Sequence, residues 1–540
     1  MLRTLIPTLA IPLSLWLAVA LPARADDPLP PAVFTALQVA GVPPDALAGI
    51  VLPLGHRSRP WSVNANRAMQ PASTMKLVTS IVALDRLRAT HRGATEFRSS
   101  APLVDGVLQG DLQLVGLADP DLSVPAFWDL LLSLRASGIH TIGGDLVVDR
   151  TRFRPARIDQ NLPPFDEATE FPSNVIPDAL LLAGNLLPMV LRSDANGALQ
   201  AATVPPLEGV LFDSRMAAND KPCKDWNDDW LPARATATIP AEAADAMDGP
   251  TPAVSATARP VTRIELNGAY PRNCTQRVAL QLIDRQELAE RLFRSLWRAV
   301  GGRWDGRARE AAEPLPPSAA SALVAPSRLL ARHEARPWGE VLRAMNKQSD
   351  NAIARLLLLE LGAVAGAPAE RNGSRTAVGA GGSSTTTLQA ARAEVRRWLL
   401  AQRIDPTGMV VDNGSGLSRS ERITPMQLAS MLRVAWADPQ APDLLASLPV
   451  AGVDGTMRRR LKDSPAAGLA RLKSGTLRNV TALAGIVVDN QGRPWAVALM
   501  VNHDNAARAR PALDALIDGI ARFGPHGRAP LPIGPKGNGP

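Results

Sequence analysis

At 540 residues, with 46% apolar and 20% charged residues, the chain is long enough for about three packed domains and too apolar to be disordered. Its formal charge of +8 is modest for that length, and no nucleic-acid-binding motif accompanies it. The six histidines (His56, His91, His140, His333, His503, His526) are scattered, and no Cys–His cluster has metal spacing, so no metal or other cofactor is expected.

The N-terminus has a basic start, an apolar stretch from Leu5 to Leu21 and an Ala23-Arg24-Ala25 site, the pattern of a cleaved signal peptide over 1–25. Pro7, Pro12 and the short apolar span argue against a retained anchor. Loss of Arg3 and Arg24 with that segment leaves a charge of +6, which suits a polyanionic cell envelope and equally a generic Arg-rich surface. In an exported protein the two cysteines, Cys223 and Cys274, most simply pair as one disulfide.

Ile50–Leu54 and Trp61–Val63 flank a polar turn and predict a β-hairpin. Pro71-Ala72-Ser73-Thr74-Met75-Lys76 follows and runs into an apolar helical pattern to Leu84. Ser73 and Lys76 would share one helix face, with roughly 5–6 Å between their Cβ atoms. A neutral amine there can activate the hydroxyl, and free backbone N–H groups at the helix start can face an oxyanion. Taken alone, Ser-x-x-Lys equally fits the solvated start of an ordinary helix.

Strands are predicted at 110–114 and 144–148, joined by a helix over 125–136 that Ser123 caps and Gly138 closes, a small α/β unit. Residues 153–260 are rich in Pro, Ala and Asp, with short β-like pieces. A strand over 276–283 leads to a helix opened by Asp284 and Glu287 and ended at Gly301-Gly302. Residues 311–327 resemble a linker or an exposed crossover. Helices over 337–345 and 352–361 flank Asn346-Lys347-Gln348-Ser349-Asp350-Asn351. Arg471-Leu472-Lys473-Ser474-Gly475-Thr476 leads into a buried strand pair, 483–488 and 495–501, around a turn at 489–492. A helix over 510–523 would cover that sheet, and the tail to Pro540 lacks the periodicity of a membrane anchor.

Ser73-x-x-Lys76, Ser349-Asp350-Asn351 and Lys473-Ser474-Gly475, in that order, resemble the three signature elements of penicillin-binding proteins and serine β-lactamases. The 276 residues from Ser73 to Ser349 resemble the class C penicillin-binding proteins, the D-Ala-D-Ala carboxypeptidase/endopeptidase family, which carry a large insertion there. Gly110-Asp111-Leu112, Ala118-Asp119-Pro120, Gly414-Ser415-Gly416-Leu417-Ser418-Arg419 and Leu483-Ala484-Gly485 are similar to that family as well. One departure is visible: the third motif is usually Lys-Thr-Gly, and Ser474 keeps the hydroxyl while losing a methyl.

The resemblance implies an α/β (α+β) protein: a transpeptidase-like catalytic domain, an antiparallel sheet beside a helical lobe, built from 26–92 and 320–524. Residues 93–319 would form two inserted accessory domains, and 525–540 a flexible tail. It implies Ser73 as nucleophile, Lys76 as its base, Ser349 as proton relay to the leaving amine and Asn351 as holder of Lys76 and the substrate amide. The N–H groups of Ser73 and Thr476 would form the oxyanion hole, with Gly475 beside Thr476 among the substrate-binding residues. Lys473 and Ser474 would bind the terminal carboxylate. In the family an acidic residue and an aromatic from the insertion, with an arginine after Gly-Ser-Gly-Leu-Ser, face the substrate side chain; Asp166, Phe171 and Arg419 are the matching residues. The expected ligands are peptidoglycan peptides and β-lactams, in the periplasm.

The rivals are a serine β-lactamase and a protein that binds penicillin and senses peptidoglycan without turnover. Between Ser349 and Lys473 no Glu-x-x-x-Asn supplies the glutamate of a class A β-lactamase, and the single tyrosine, Tyr270, is followed by Pro-Arg. A partner protein and an oligomeric state are not legible.

Overall fold

The computed structural model describes residues 26–160, 162, 169–238, 259–312, 327–366 and 385–527. The signal segment, Asp166, most of the 311–327 linker and the tail beyond 527 lie outside them.

The first and last parts of the chain build one five-stranded antiparallel sheet, ordered Arg471–Leu477, Val480–Val488, Pro494–Asn502, Leu47–Pro53, Trp61–Val63. The expected hairpins are all in it. Its central strands are apolar at nearly every position because both faces are covered. Leu47, Val51, Leu483, Leu499 and Val501 face the helices Pro31–Ala40 and Arg510–Phe523. Ala48, Ile50, Ala482, Ala484, Ala498 and Met500 face the other way, toward the helices Met75–Leu87 and Pro425–Trp436. The period of two separates the faces, and the alanines on the second let those helices pack close to the sheet. Beyond them the helices Trp338–Gln348, Asn351–Gly366 and Thr387–Ala401 complete a lobe around Trp338, Leu357 and Trp398.

The inserted unit is built on a second five-stranded sheet, ordered Ala308–Glu310, Leu146–Asp149, Leu112–Leu117, Ala94–Ser99, Arg328–Glu334. Leu112–Leu117 and Leu146–Asp149 are parallel. Such a pair needs a crossover, which the helix Val124–Ala136 supplies; Ser123 Oγ accepts from the Ala126 amide at its start. The helix Arg285–Ala299, capped by Asp284, adds Leu292, Phe293 and Trp297 to a core with Phe97, Phe127 and Trp304. Among the described residues three smaller sheets extend it, and Cys223 and Cys274 are bonded between two of them. These described sheets share one continuous apolar core.

One boundary moves. Return to the catalytic unit was expected at residue 320, but Arg328–Glu334 pairs antiparallel with Ala94–Ser99 and so closes the accessory sheet. Asp119, of the family-like Ala118-Asp119-Pro120, is buried there for structural reasons. It accepts from the Thr95 hydroxyl at 3.0 Å and faces His333 Nδ1 at 2.7 Å, and this carboxylate raises the imidazole pKa.

The units are clamped beside the motifs. Buried Glu360, on the helix Asn351–Gly366, takes Arg152 Nε at 2.7 Å and faces His91 Nε2 at 2.8 Å. Arg355 Nη1, one turn after Asn351, donates to the Val175 carbonyl at 2.5 Å.

Candidate active site

Ser73 lies in a single 3-10 turn, Ala72–Thr74, which runs straight into the helix Met75–Leu87. The helix therefore starts two residues after the serine, and Lys76 sits in its first turn. That helix is buried on every side as far as Leu84, so Lys76 is fully buried too. Three partners hold its amine: Ser73 Oγ at 3.1 Å, Asn351 Oδ1 at 2.6 Å and the Ser415 carbonyl at 2.6 Å. Burial first, and then the charge of Lys473, holds the Lys76 pKa well below the ordinary lysine range; Asp350 and Glu421 pull the other way. A neutral amine has two N–H groups and one lone pair. With Asn351 and Ser415 each accepting one N–H, the lone pair is left for the Ser73 hydroxyl. This is the arrangement a general base requires.

The second motif is an elbow. The helix Trp338–Gln348 ends because Ser349 takes a left-handed conformation, φ 61°, and Asp350 then caps the next helix by accepting from the Ile353 amide at 2.9 Å. The turn presents Ser349 and Asn351 to the cleft. Asn351 Nδ2 donates to the Ser173 carbonyl at 3.1 Å, which leaves its Oδ1 turned to Lys76. An accessory segment thus fixes the amide orientation of a cleft residue.

The third motif lies on the edge strand Arg471–Leu477. Lys473 is fully buried, and its amine donates to Ser349 Oγ at 2.8 Å and to the Ser474 carbonyl at 2.9 Å. Burial lowers its pKa to about 7. Gly475 passes so close to the nucleophile turn that an added Cβ would lie 2.8 Å from the Pro71 carbonyl oxygen and 3.0 Å from the Ser73 nitrogen. Only a residue without a side chain lets the strand run there, which brings the Ser73 amide beside the strand that carries Thr476. Thr476 itself is exposed.

A fourth stretch was read only as family-like text around Arg419. The structure makes it part of the centre, because Ser415 supplies a carbonyl to Lys76. Gly416, φ 87°, lies on the nucleophile turn: a Cβ there would fall 1.9 Å from the Ala72 carbonyl oxygen. Buried Glu421 holds the loop by accepting three successive amides, Asp412, Asn413 and Gly414, at 3.3, 3.1 and 2.8 Å. Burial raises its pKa to about 7 against the pull of those amides. Sequence reading missed Glu421, whose signal, one acid in a loop, is weak. It missed the Ser173 and Ser415 carbonyls because a backbone acceptor leaves no trace in residue type.

The other expected residues separate. Arg419 is exposed at the mouth, and its carbonyl accepts from Gln70 Nε2 at 2.6 Å, close to the nucleophile turn. Phe171 packs in an accessory aromatic cluster, its ring centroid 5.9 Å from that of Trp226 and 6.2 Å from that of Trp230, although Ser173 two residues on reaches Asn351. Asp166 lies outside the described residues. Tyr270 is buried in the accessory core, away from the three motifs. A cavity of about 570 Å³ in the accessory unit is lined by Glu287, Glu290, Arg291 and Arg294, but those side chains already pair with one another.

The D-Ala-D-Ala carboxypeptidase 3 (S13) family model matches residues 36–522, inserted unit included. The chain is similar to the D-alanyl-D-alanine carboxypeptidase of Actinomadura sp. (strain R39), 29% identical over 86% of this chain and 79% of that one. It is also similar to D-alanyl-D-alanine carboxypeptidase DacB of Haemophilus influenzae, 25% identical over 81% of each. The crystal structure of penicillin-binding protein 4 (DacB) from Haemophilus influenzae has the same fold, with a TM-score of 0.68 over 91% of this chain and 99% of that one, at 22% identity. With the model spanning nearly all of the described chain and the three motifs converging on one cleft, the protein belongs to the S13 D-Ala-D-Ala carboxypeptidase family.

Proposed function

We propose that this member of the family is exported to the periplasm and hydrolyses D-Ala-D-Ala ends, and D-alanine cross-links, of peptidoglycan peptides through an acyl-enzyme on Ser73. The observation that carries the reading is the Lys76 amine, fully buried and bridging Ser73, Asn351 and Ser415.

Ser73 Oγ attacks the carbonyl of the penultimate D-alanine while its proton passes to Lys76 Nζ. The oxyanion is met by the Ser73 and Thr476 amides. As the C–N bond breaks, the proton returns to the leaving amine through Ser349, and an ester on Ser73 remains. Water then attacks the ester, again with Lys76 as base, and regenerates the serine. Lys473 and Ser474 hold the terminal carboxylate. A β-lactam follows the same first step, but its amine stays tethered to the acyl group, and this retention delays water.

For the peptide side chain, Arg419 would grip the free carboxylate of a diaminopimelate residue, and Asp166 would be the complementary acid for its amine. The test is a labelled penicillin followed by peptide mapping, with product analysis on purified peptidoglycan. Label on the Ser73–Lys76 peptide and release of D-alanine or uncrosslinked peptides are expected. Label that persists in Ser73→Ala refutes the nucleophile, and acylation without any product identifies a sensor.

A further inference from the structure

Resting on the peptidase reading, we propose that Thr456 is a positioning residue for the carboxylate subsite, its hydroxyl orienting that of Ser474. The Ser474 Oγ donates to Thr456 Oγ1 at 2.7 Å. Thr456 is exposed, in the short turn Gly455–Met457, so its side chain is not a packing element.

That turn is fixed to the second motif. Lys347, two residues before Ser349, donates to Asp454 Oδ2 at 2.5 Å and to the Leu448 carbonyl at 3.1 Å. Asp454 Oδ1 accepts from the Val450 amide at 2.9 Å. Gly455 lies on the Lys347 backbone, where an added Cβ would come 2.7 Å from the carbonyl oxygen. The helix that ends in Ser349 therefore also places Thr456 beside the third motif.

The need for such a partner follows from the departure at Ser474. A threonine is stiff at χ1 because its β-carbon is branched, whereas a serine hydroxyl chooses among three staggered wells. A hydrogen bond to a fixed neighbour restores the selection that the missing methyl removed. A hydroxyl both donates and accepts. When a carboxylate arrives, the Ser474 O–H turns to it and Thr456 O–H donates to Ser474 Oγ, with the oxygen atoms unmoved.

The experiment is a double-mutant cycle read as the second-order rate of Ser73 acylation by benzylpenicillin and by its carboxylate methyl ester. Thr456→Val should slow acylation by the free acid about 5–10-fold, the loss of one hydrogen bond, and Thr456→Ser should restore it. The same Val substitution made together with Ser474→Thr should change the rate by about 2-fold or less, because the methyl then fixes the hydroxyl. Toward the methyl ester, Thr456→Val should act like wild type. Equal losses with and without Ser474→Thr, or equal losses toward acid and ester, overturn the proposal. A wild-type protein that takes no label at Ser73 overturns the peptidase reading itself, so the two failures are told apart.

Discussion

The contact between Gly416 and the nucleophile turn can be tested by adding one methyl group. In Gly416→Ala the new Cβ would lie 1.9 Å from the Ala72 carbonyl oxygen, 2.3 Å from its carbon and 2.6 Å from the Ser73 nitrogen. These are backbone atoms, so no rotamer change relieves the clash, and one turn must retreat by at least about 1 Å. A misplacement of that size at a reacting group costs about 100-fold in rate. The substitution also places a side chain at φ 87°, a backbone penalty of about 1 kcal/mol or somewhat more. Gly468→Ala separates the two effects, since Gly468 has φ 74° with nothing within 4 Å of an added Cβ. Both variants should lose stability in thermal melts. Gly416→Ala alone should acylate with labelled penicillin about 100-fold more slowly, and Gly468→Ala at the wild-type rate. If Gly416→Ala melts like Gly468→Ala and acylates within about 3-fold of wild type, the turn does not depend on this contact and the reasoning fails.

Lys76→Ala should acylate about 100-fold more slowly or worse, the loss expected for a general base, measured by stopped-flow or gel labelling with penicillin. Lys473, at about 7 when the cleft is free, should take up a proton when a carboxylate binds at pH 8 and little at pH 6, where it is already charged. Calorimetry of Ser73→Ala with an acylated D-Ala-D-Ala peptide, in buffers of different ionisation enthalpy, measures that uptake; none at pH 8 contradicts Lys473 as the carboxylate's partner. Arg419→Ala should lower kcat/KM for diaminopimelate-containing muropeptides by about 10-fold or more, one charge-assisted hydrogen bond, and leave penicillin acylation nearly unchanged. Equal losses toward both would place Arg419 in support of the cleft itself.

The parts legible in the sequence are those that a local pattern specifies. The sheet strands Val480–Val488 and Pro494–Asn502 and the helix Arg510–Phe523 follow from apolar runs and helical spacing, and the three motifs carry their own residue types. What was not legible is carried by backbone or by exposed pairing. The Ser415 and Ser173 carbonyls could belong to any residue. The strand Arg328–Glu334 is an edge strand, mostly exposed, so it lacks the alternation that would have joined it to the accessory sheet. The ring of Phe171 packs against Trp226 and Trp230, which lie some 55 and 59 residues further along the chain, a contact no local pattern reveals.

Two fully buried lysines in one cleft would be hard to explain as packing, because burial disfavours charge on both amines and the charge of Lys473 further disfavours it on Lys76. Their partners divide them. Lys76 meets two acceptors and a hydroxyl that can give up a proton, so it is served by being neutral. Lys473 meets a hydroxyl and a carbonyl at the open strand, where an incoming carboxylate would favour its charged form. The two effects are coupled in sign. A carboxylate that raises the Lys473 pKa charges it, and that charge lowers the Lys76 pKa further, while the carboxylate's own negative charge partly offsets it. The nearer group dominates. If the carboxylate sits beyond Lys473 from Lys76, the net effect favours the neutral base. On the proposed mechanism, the group that identifies the substrate's end thus also helps to ready the lysine that activates Ser73.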